Sequence, residues 1–98
     1  MKKFVFLYQG QGLSAPTAEG MKAWGDWFAS LGEQLVDGGN PFGAGREVTA
    51  DGATDLSTDP APITGYSIVN AADIDAAEKL LAGCPMSTGV RVYEALPM

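Results

Sequence analysis

The stretch ITGYSIVNAADIDAAEKLLAGCP, from Ile63 to Pro85, decides how the rest of the chain is read. Ile63 to Val69 is β-branched and aromatic enough for a strand, with Tyr66 and Ile68 on one face and Ser67 and Val69 on the other. Asp73 then has the place and chemistry of an N-cap. Ile74, Ala77 and Leu81 give an inward face to a helix over about 74–82. Gly83 suits the left-handed residue after a helix, and Pro85 stops continuation. A strand that feeds a short helix directly is half of an α+β unit.

Working outward, Lys2 to Gln9 is a second apolar strand, broken by the turn Gln9-Gly10-Gln11-Gly12. A helix over about 18–32 follows, with Thr17 the favoured N-cap and Ser14 its rival. Met21, Trp24, Phe28, Leu31 and Leu35 recur at steps of three and four, widened by Trp27. Gln34 to Gly38 reads as a short strand, GGNPFGAG as a loop, and Arg46–Ala50 with Ala53–Ser57 as a hairpin turning at Asp51-Gly52. TDPAP is a rigid connector, and Gly89 to Ala95 is the last strand.

The order β-α-β-(β-β)-β-α-β fits an α+β, ferredoxin-like βαββαβ sandwich with an extra central hairpin, one domain over residues 1–98. Such a sandwich carries both helices on one face of its sheet. In a chain of 98 residues the core is marginal, and the natural cover for the bare face is the same face of a second copy. The expectation is a two-fold homodimer.

Composition excludes several classes. Net charge is −6 and there are six basic residues, with Lys2-Lys3 the one adjacent pair, so phosphate backbones and anionic membrane surfaces are poor partners. No stretch approaches the roughly 20 apolar residues of a membrane span. The apolar run Phe4 to Tyr8 is too short for a signal peptide. The single Cys84 excludes an internal disulfide and a multi-cysteine zinc site, and fits a reducing cytoplasm. There is no histidine, so no serine or cysteine has an imidazole base. Cys84, at a helix C-terminus, lies where the dipole disfavours a thiolate. Asp51, Asp55 and Asp59, at steps of four, do not have the ligand order of a calcium loop. GQG at 10–12 lacks the third glycine and the Lys-Ser/Thr of nucleotide loops. No metal or cofactor is called for.

The remaining candidates are few. Asp37, in LVDGG, is a general base if burial raises its pKa, or else a turn aspartate bonding its own backbone. Asp59, in STDP, has the same two readings. Tyr8 and Tyr66 are strand tyrosines that either face a space between sheets, where a phenol orients a ligand carbonyl, or pack in a core. Arg91, on the last strand, either clamps a carboxylate or faces solvent, and Arg46 is similar.

The opening MKKFVFLY, the helix MKAWGDWFASLGEQLVDGGNP, TADG, and ITGYSIVNAADIDAAEKLLAGCPM closing on GVRVYEALP resemble the YCII-related family, and within it the DGPF-type branch, over nearly the whole chain. STDPAP at 57–62 stands where that branch has Asp-Gly-Pro-Phe, keeping Asp59 and a proline. The resemblance implies a dimeric α+β barrel, two sheets face to face around pockets. Some relatives are small enzymes using a His-Asp pair. Here the histidine position corresponds to about Met21 and the aspartate position to Cys84, so that dyad is missing. The resulting expectation is a small-molecule-binding homodimer without established catalysis. The alternative is a small lyase- or isomerase-type enzyme acting on a carboxylated or cyclic metabolite through Asp37 or Asp59.

Overall fold

The computed structural model describes residues 1–10, 18–56, 62–85 and 89–97. Its elements are β1 (Lys2–Gln9), α1 (Ala18–Leu31) with a 3-10 turn at Gly32–Gln34, β2 (Leu35–Asp37), β3 (Arg46–Thr49), β4 (Gly52–Asp55), β5 (Ile63–Ala71), α2 (Ile74–Leu80) and β6 (Gly89–Ala95). Four strands form one sheet in the order β2-β5-β1-β6, every neighbouring pair antiparallel. β3 and β4 form a separate two-stranded sheet. The molecule is therefore α+β, with a mostly antiparallel sheet and two helices. No helix among the described residues is long and apolar enough to cross a membrane.

Strict alternation along β1 and β5 separates two faces. Phe4, Phe6 and Tyr8, with Ser67, Val69 and Ala71, are buried, while Val5, Leu7, Tyr66 and Ile68 are half-buried. Both helices cover the first face: Trp27 and Leu31 from α1 and Ala77 from α2 complete the core with Phe4, Phe6, Tyr8, Val69 and Ala71. Trp27 ties the helices together. Its ring stacks on Phe6, and its Nε1 donates to the Leu80 carbonyl at 3.0 Å.

Both helices keep most of the inward faces read from sequence: Trp24, Trp27, Phe28 and Leu31 in the first, with Leu35 just beyond it, and Ala77 and Leu81 in the second pack on the core, while Met21 and Ile74 do not. Trp27, not Met21, is the centre of the α1 stripe, and Met21 is 63% exposed. A 14-residue helix has room for one narrow seam, and the indole at 27 has the larger area to hide. In α2 it is Ala77 that is fully buried, with Leu80 and Leu81 packed beside it, while Ile74 is exposed. The small Ala77 lets the helix lie close on the sheet. Asp73 caps α2, accepting the Ala76 N–H at 2.8 Å, and Gly83 takes φ +81. Thr17 and Ser14 lie outside the described residues.

The hairpin turns one residue earlier than its Asp-Gly pair suggests. Thr49 pairs with Gly52, so Ala50 and Asp51 make the bend. No non-glycine described residue has positive φ, and Gly52 alone takes it there, at +138. Thr49 replaces the expected Asp-Gly geometry by accepting the Asp51 N–H on Oγ1 at 3.2 Å.

Candidate functional site

The uncovered face of the four-stranded sheet is the candidate site. Register assigns its residues. Tyr66 stands opposite Leu7, and Leu7 opposite Arg91; Ile68 stands opposite Val5, and Val5 opposite Tyr93. Cross-strand partners share a face, so these six side chains form two adjacent rows across β5, β1 and β6. With strands about 4.8 Å apart, the Tyr66 and Arg91 backbones lie about 10 Å apart with Leu7 between them.

Phe42 closes one end of the first row, its ring stacked on Tyr66 at 5.6 Å between centroids. It is held there because the chain after β2 continues along the sheet edge. Pro41 bridges to Gly65, and the Phe42 N–H donates to the Thr64 carbonyl at 2.8 Å. The result is an apolar floor of Val5, Leu7 and Ile68, an aromatic wall of Phe42 and Tyr66, and polar ends at the Tyr66 hydroxyl and the Arg91 guanidinium. Lys3 and Arg91 are the charged residues whose register places them on this face of β1, β5 and β6. Asp37, opposite Ile68 on β2, adds a carboxylate at the edge of the same face.

Tyr66 and Arg91 are thus brought onto one face, and Tyr8 is not with them. Tyr8 lies on the helix side, 4% exposed, and belongs to the core. Its hydroxyl donates to Ser67 Oγ at 2.8 Å, and Ser67 donates in turn to the Gly38 carbonyl at 2.7 Å. The period-2 reversal of a strand makes Tyr8 and its neighbour Leu7 opposite-facing, so Tyr8 and Arg91 cannot share a pocket. Asp37 stands opposite Ile68 at the β2 edge, exposed, its Oδ1 accepting the Gly39 N–H at 2.8 Å. That is the turn-aspartate geometry; the burial a general base needs is lacking. Asp59 lies outside the described residues. Arg46 is exposed on β3, which belongs to the separate two-stranded sheet.

Two residues of consequence were passed over in the sequence. Ser67 is a polar residue at a buried strand position, which demands a partner, and Tyr8 and Gly38 supply it. Phe42 lay in a glycine-rich segment with no periodicity to place it. Among the described residues no group of three His, Cys, Asp or Glu side chains is placed to hold a metal ion.

Burial pushes the Tyr8 phenol up to about 12; the Ser67 bond partly offsets this and the nearby Cys84 adds to it. The phenol ionises near 10 in the unfolded chain, so above pH 10 the folded state holds more protons than the unfolded. Its contribution is therefore fully present below pH 10 and lost as pH rises to about 12. The expected result in urea melts is a fall in stability across that window, up to about 1.4 kcal/mol per pH unit, reduced in Tyr8→Phe. Equal slopes in the two proteins would remove Tyr8 as the cause.

Compared with protein-family models, curated proteins and solved structures, the chain matches none of them.

Proposed function

We propose that two copies of this chain pair through the uncovered sheet face and hold a small carboxylated or aromatic molecule between them. The topology supports a ferredoxin-like reading. The two central strands, β5 and β1, are flanked by β2 and β6, and both helices lie on one side. In this reading the chain is a YCII-related protein of the DGPF type, its dimer an α+β barrel, working in the cytoplasm. The observation that carries the proposal is the uncovered row of Tyr66, Leu7 and Arg91 beside Val5, Ile68 and Tyr93. An apolar face of this kind on a marginal domain is hidden by association.

Arg91 is the carboxylate anchor in this reading, a planar fork suited to bidentate contact, and Tyr66 orients the other end. The stacked Phe42 and Tyr66 rings supply the aromatic wall. With the His-Asp positions held by Met21 and Cys84, binding is favoured over catalysis. An enzyme acting through Asp37 is the weaker reading, because that carboxylate is engaged by Gly39.

Thermal denaturation in the presence of a panel of small carboxylic and aromatic metabolites tests the binding. A ligand at one hundred times its Kd stabilises by about 2.7 kcal/mol. At least one panel member is expected to raise Tm in the wild type, with that increment lost in Arg91→Ala. A panel without a hit, or a hit indifferent to Arg91→Ala, counts against the site.

A further inference from the structure

Phe42 forms a wall of the open-face site, yet burial does not hold it there, for it is 39% exposed. Its contact with Tyr66, 5.6 Å between ring centroids, depends on where the backbone of residues 38–42 lies. β2, which leads into that segment, is three residues long, and its ladder to β5 is broken by a register shift between Leu35 and Asp37. Attachments beyond β2 therefore set the wall. Three have been described: the exposed Asp37 carboxylate on the Gly39 N–H, the Pro41–Gly65 bridge, and the Phe42 N–H on the Thr64 carbonyl. Water competes for the first of these.

The fourth comes from the buried face. Ser67 is fully buried, and its Oγ lies 2.7 Å from the Gly38 carbonyl oxygen and 2.8 Å from the Tyr8 hydroxyl. The proton order in this chain of bonds is forced. A carbonyl only accepts, so the single Ser67 proton goes to Gly38, and the Tyr8 proton must go to Ser67. A phenol donating into the serine oxygen polarises it and strengthens the bond to Gly38. Alternation puts Ser67 and Tyr66 on opposite faces of β5. The segment is thus gripped at Gly38 from the helix side and delivers Phe42 to Tyr66 on the open side. Gly39 and Gly65 leave room for that crossing: a Cβ on Gly39 would run into the Tyr66 carbonyl, and one on Gly65 would stand 3.2 Å from the Asn40 carbonyl oxygen.

We infer that Ser67 is a positioning residue for the open-face site, acting through Gly38 from the far side of the sheet. It touches nothing bound on that face; it fixes the segment that sets the Phe42 wall. Its effect on binding rests on the small-molecule site proposed above. Its hold on Phe42 does not, and is measured without any ligand.

The test is nuclear magnetic resonance on the full chain, with Ser67→Ala and Tyr8→Phe beside the wild type. Tyr8→Phe controls for loosening of the core: it deletes a buried bond of the same chain and leaves Ser67 donating to Gly38. Two readouts follow the segment, the Overhauser contacts between the Phe42 and Tyr66 rings and the hydrogen exchange of the Phe42 amide relative to the β1–β6 ladder. Ser67→Ala is expected to lose the ring contacts and to speed that amide at least tenfold beyond any change in the ladder. Tyr8→Phe is expected to keep the contacts, with less than a threefold change. If ladder exchange shows Ser67→Ala unfolded, Ser67→Cys, with a weaker donor in the same place, is read in the same way. Ring contacts that survive in the Ser67 variant, or equal losses in both variants, would overturn the inference. The panel metabolite that raises the wild-type Tm is expected to bind Ser67→Ala at least fivefold more weakly. Unchanged affinity with the ring contacts gone would remove the positioning role. A panel without a wild-type hit would remove the site itself, while the ring contacts still decide whether Ser67 holds Phe42.

Discussion

Replacing Trp27 with alanine is expected to cost about 3–5 kcal/mol, the range for deleting a buried aromatic side chain. The reason lies in how many elements meet at that one indole. It is 4% exposed, stacks on Phe6, meets Tyr8 and Trp24 edge-on, and donates to the Leu80 carbonyl at the end of α2. The substitution leaves a cavity between sheet and helices and strips the Leu80 carbonyl of its side-chain donor. Domains of this size are stable by about 5–15 kcal/mol in total, so the loss is a large fraction of the whole. At about 4–8 °C per kcal/mol, Tm falls by roughly 12 °C or more. Trp27→Phe keeps most of the packing and loses the hydrogen bond, and is expected to cost about half as much or less. Urea melts at one protein concentration, followed by circular dichroism, measure all three proteins. A Trp27→Ala variant within 1 kcal/mol of wild type would mean that α1 is not anchored there.

The second large effect belongs to a loop with no apolar core of its own. Gly38 and Gly39 are neighbours with opposite tolerance. Gly39 has φ +75, and a Cβ on it would stand 1.7 Å from the Tyr66 carbonyl oxygen. A Cβ on Gly38 meets nothing within 4 Å. Gly39→Ala must bear a left-handed backbone, roughly 1–2 kcal/mol, and must also push the loop off β5. That displacement strains the Pro41–Gly65 bridge and the Phe42 N–H bond to Thr64, so the total is expected to reach about 3 kcal/mol. Gly38→Ala is expected to stay within about 0.5 kcal/mol of wild type. Because the same loop sets Phe42 against Tyr66, Gly39→Ala is also expected to lose any ligand-induced stabilisation. Equal melts for the two glycine variants would show that the loop does not lie on β5.

Much of the fold was legible because alternation and caps are local signals. The two faces of β5 could be assigned from Tyr66-Ser67-Ile68-Val69, and α2 from Asp73 and Gly83. The sheet's two faces therefore followed from the order of elements. What sequence could not supply was the edge of each helix stripe and the register. Met21 and Trp27 are both apolar at helical spacing, and the centre of the stripe was settled by which had a deep partner in Phe6. The turn of the hairpin slipped by one because Thr49 bonds the Asp51 N–H, a side-chain preference that competes with Asp-Gly.

The site was less legible than the fold. Tyr8 and Tyr66 look alike as strand tyrosines, yet one is a satisfied core hydroxyl and the other lies on the open face. Their difference is set by strand phase relative to the helices. Arg91 joins Tyr66 through two register steps across β1, a relation between residues 25 apart that no local pattern carries.

Sedimentation equilibrium of the unmodified chain at micromolar concentration is the most direct measurement. The proposed pairing through the open β face predicts a species of twice the 10.2 kDa chain mass. A single species of 10.2 kDa at every concentration would contradict it, and with it the shared site.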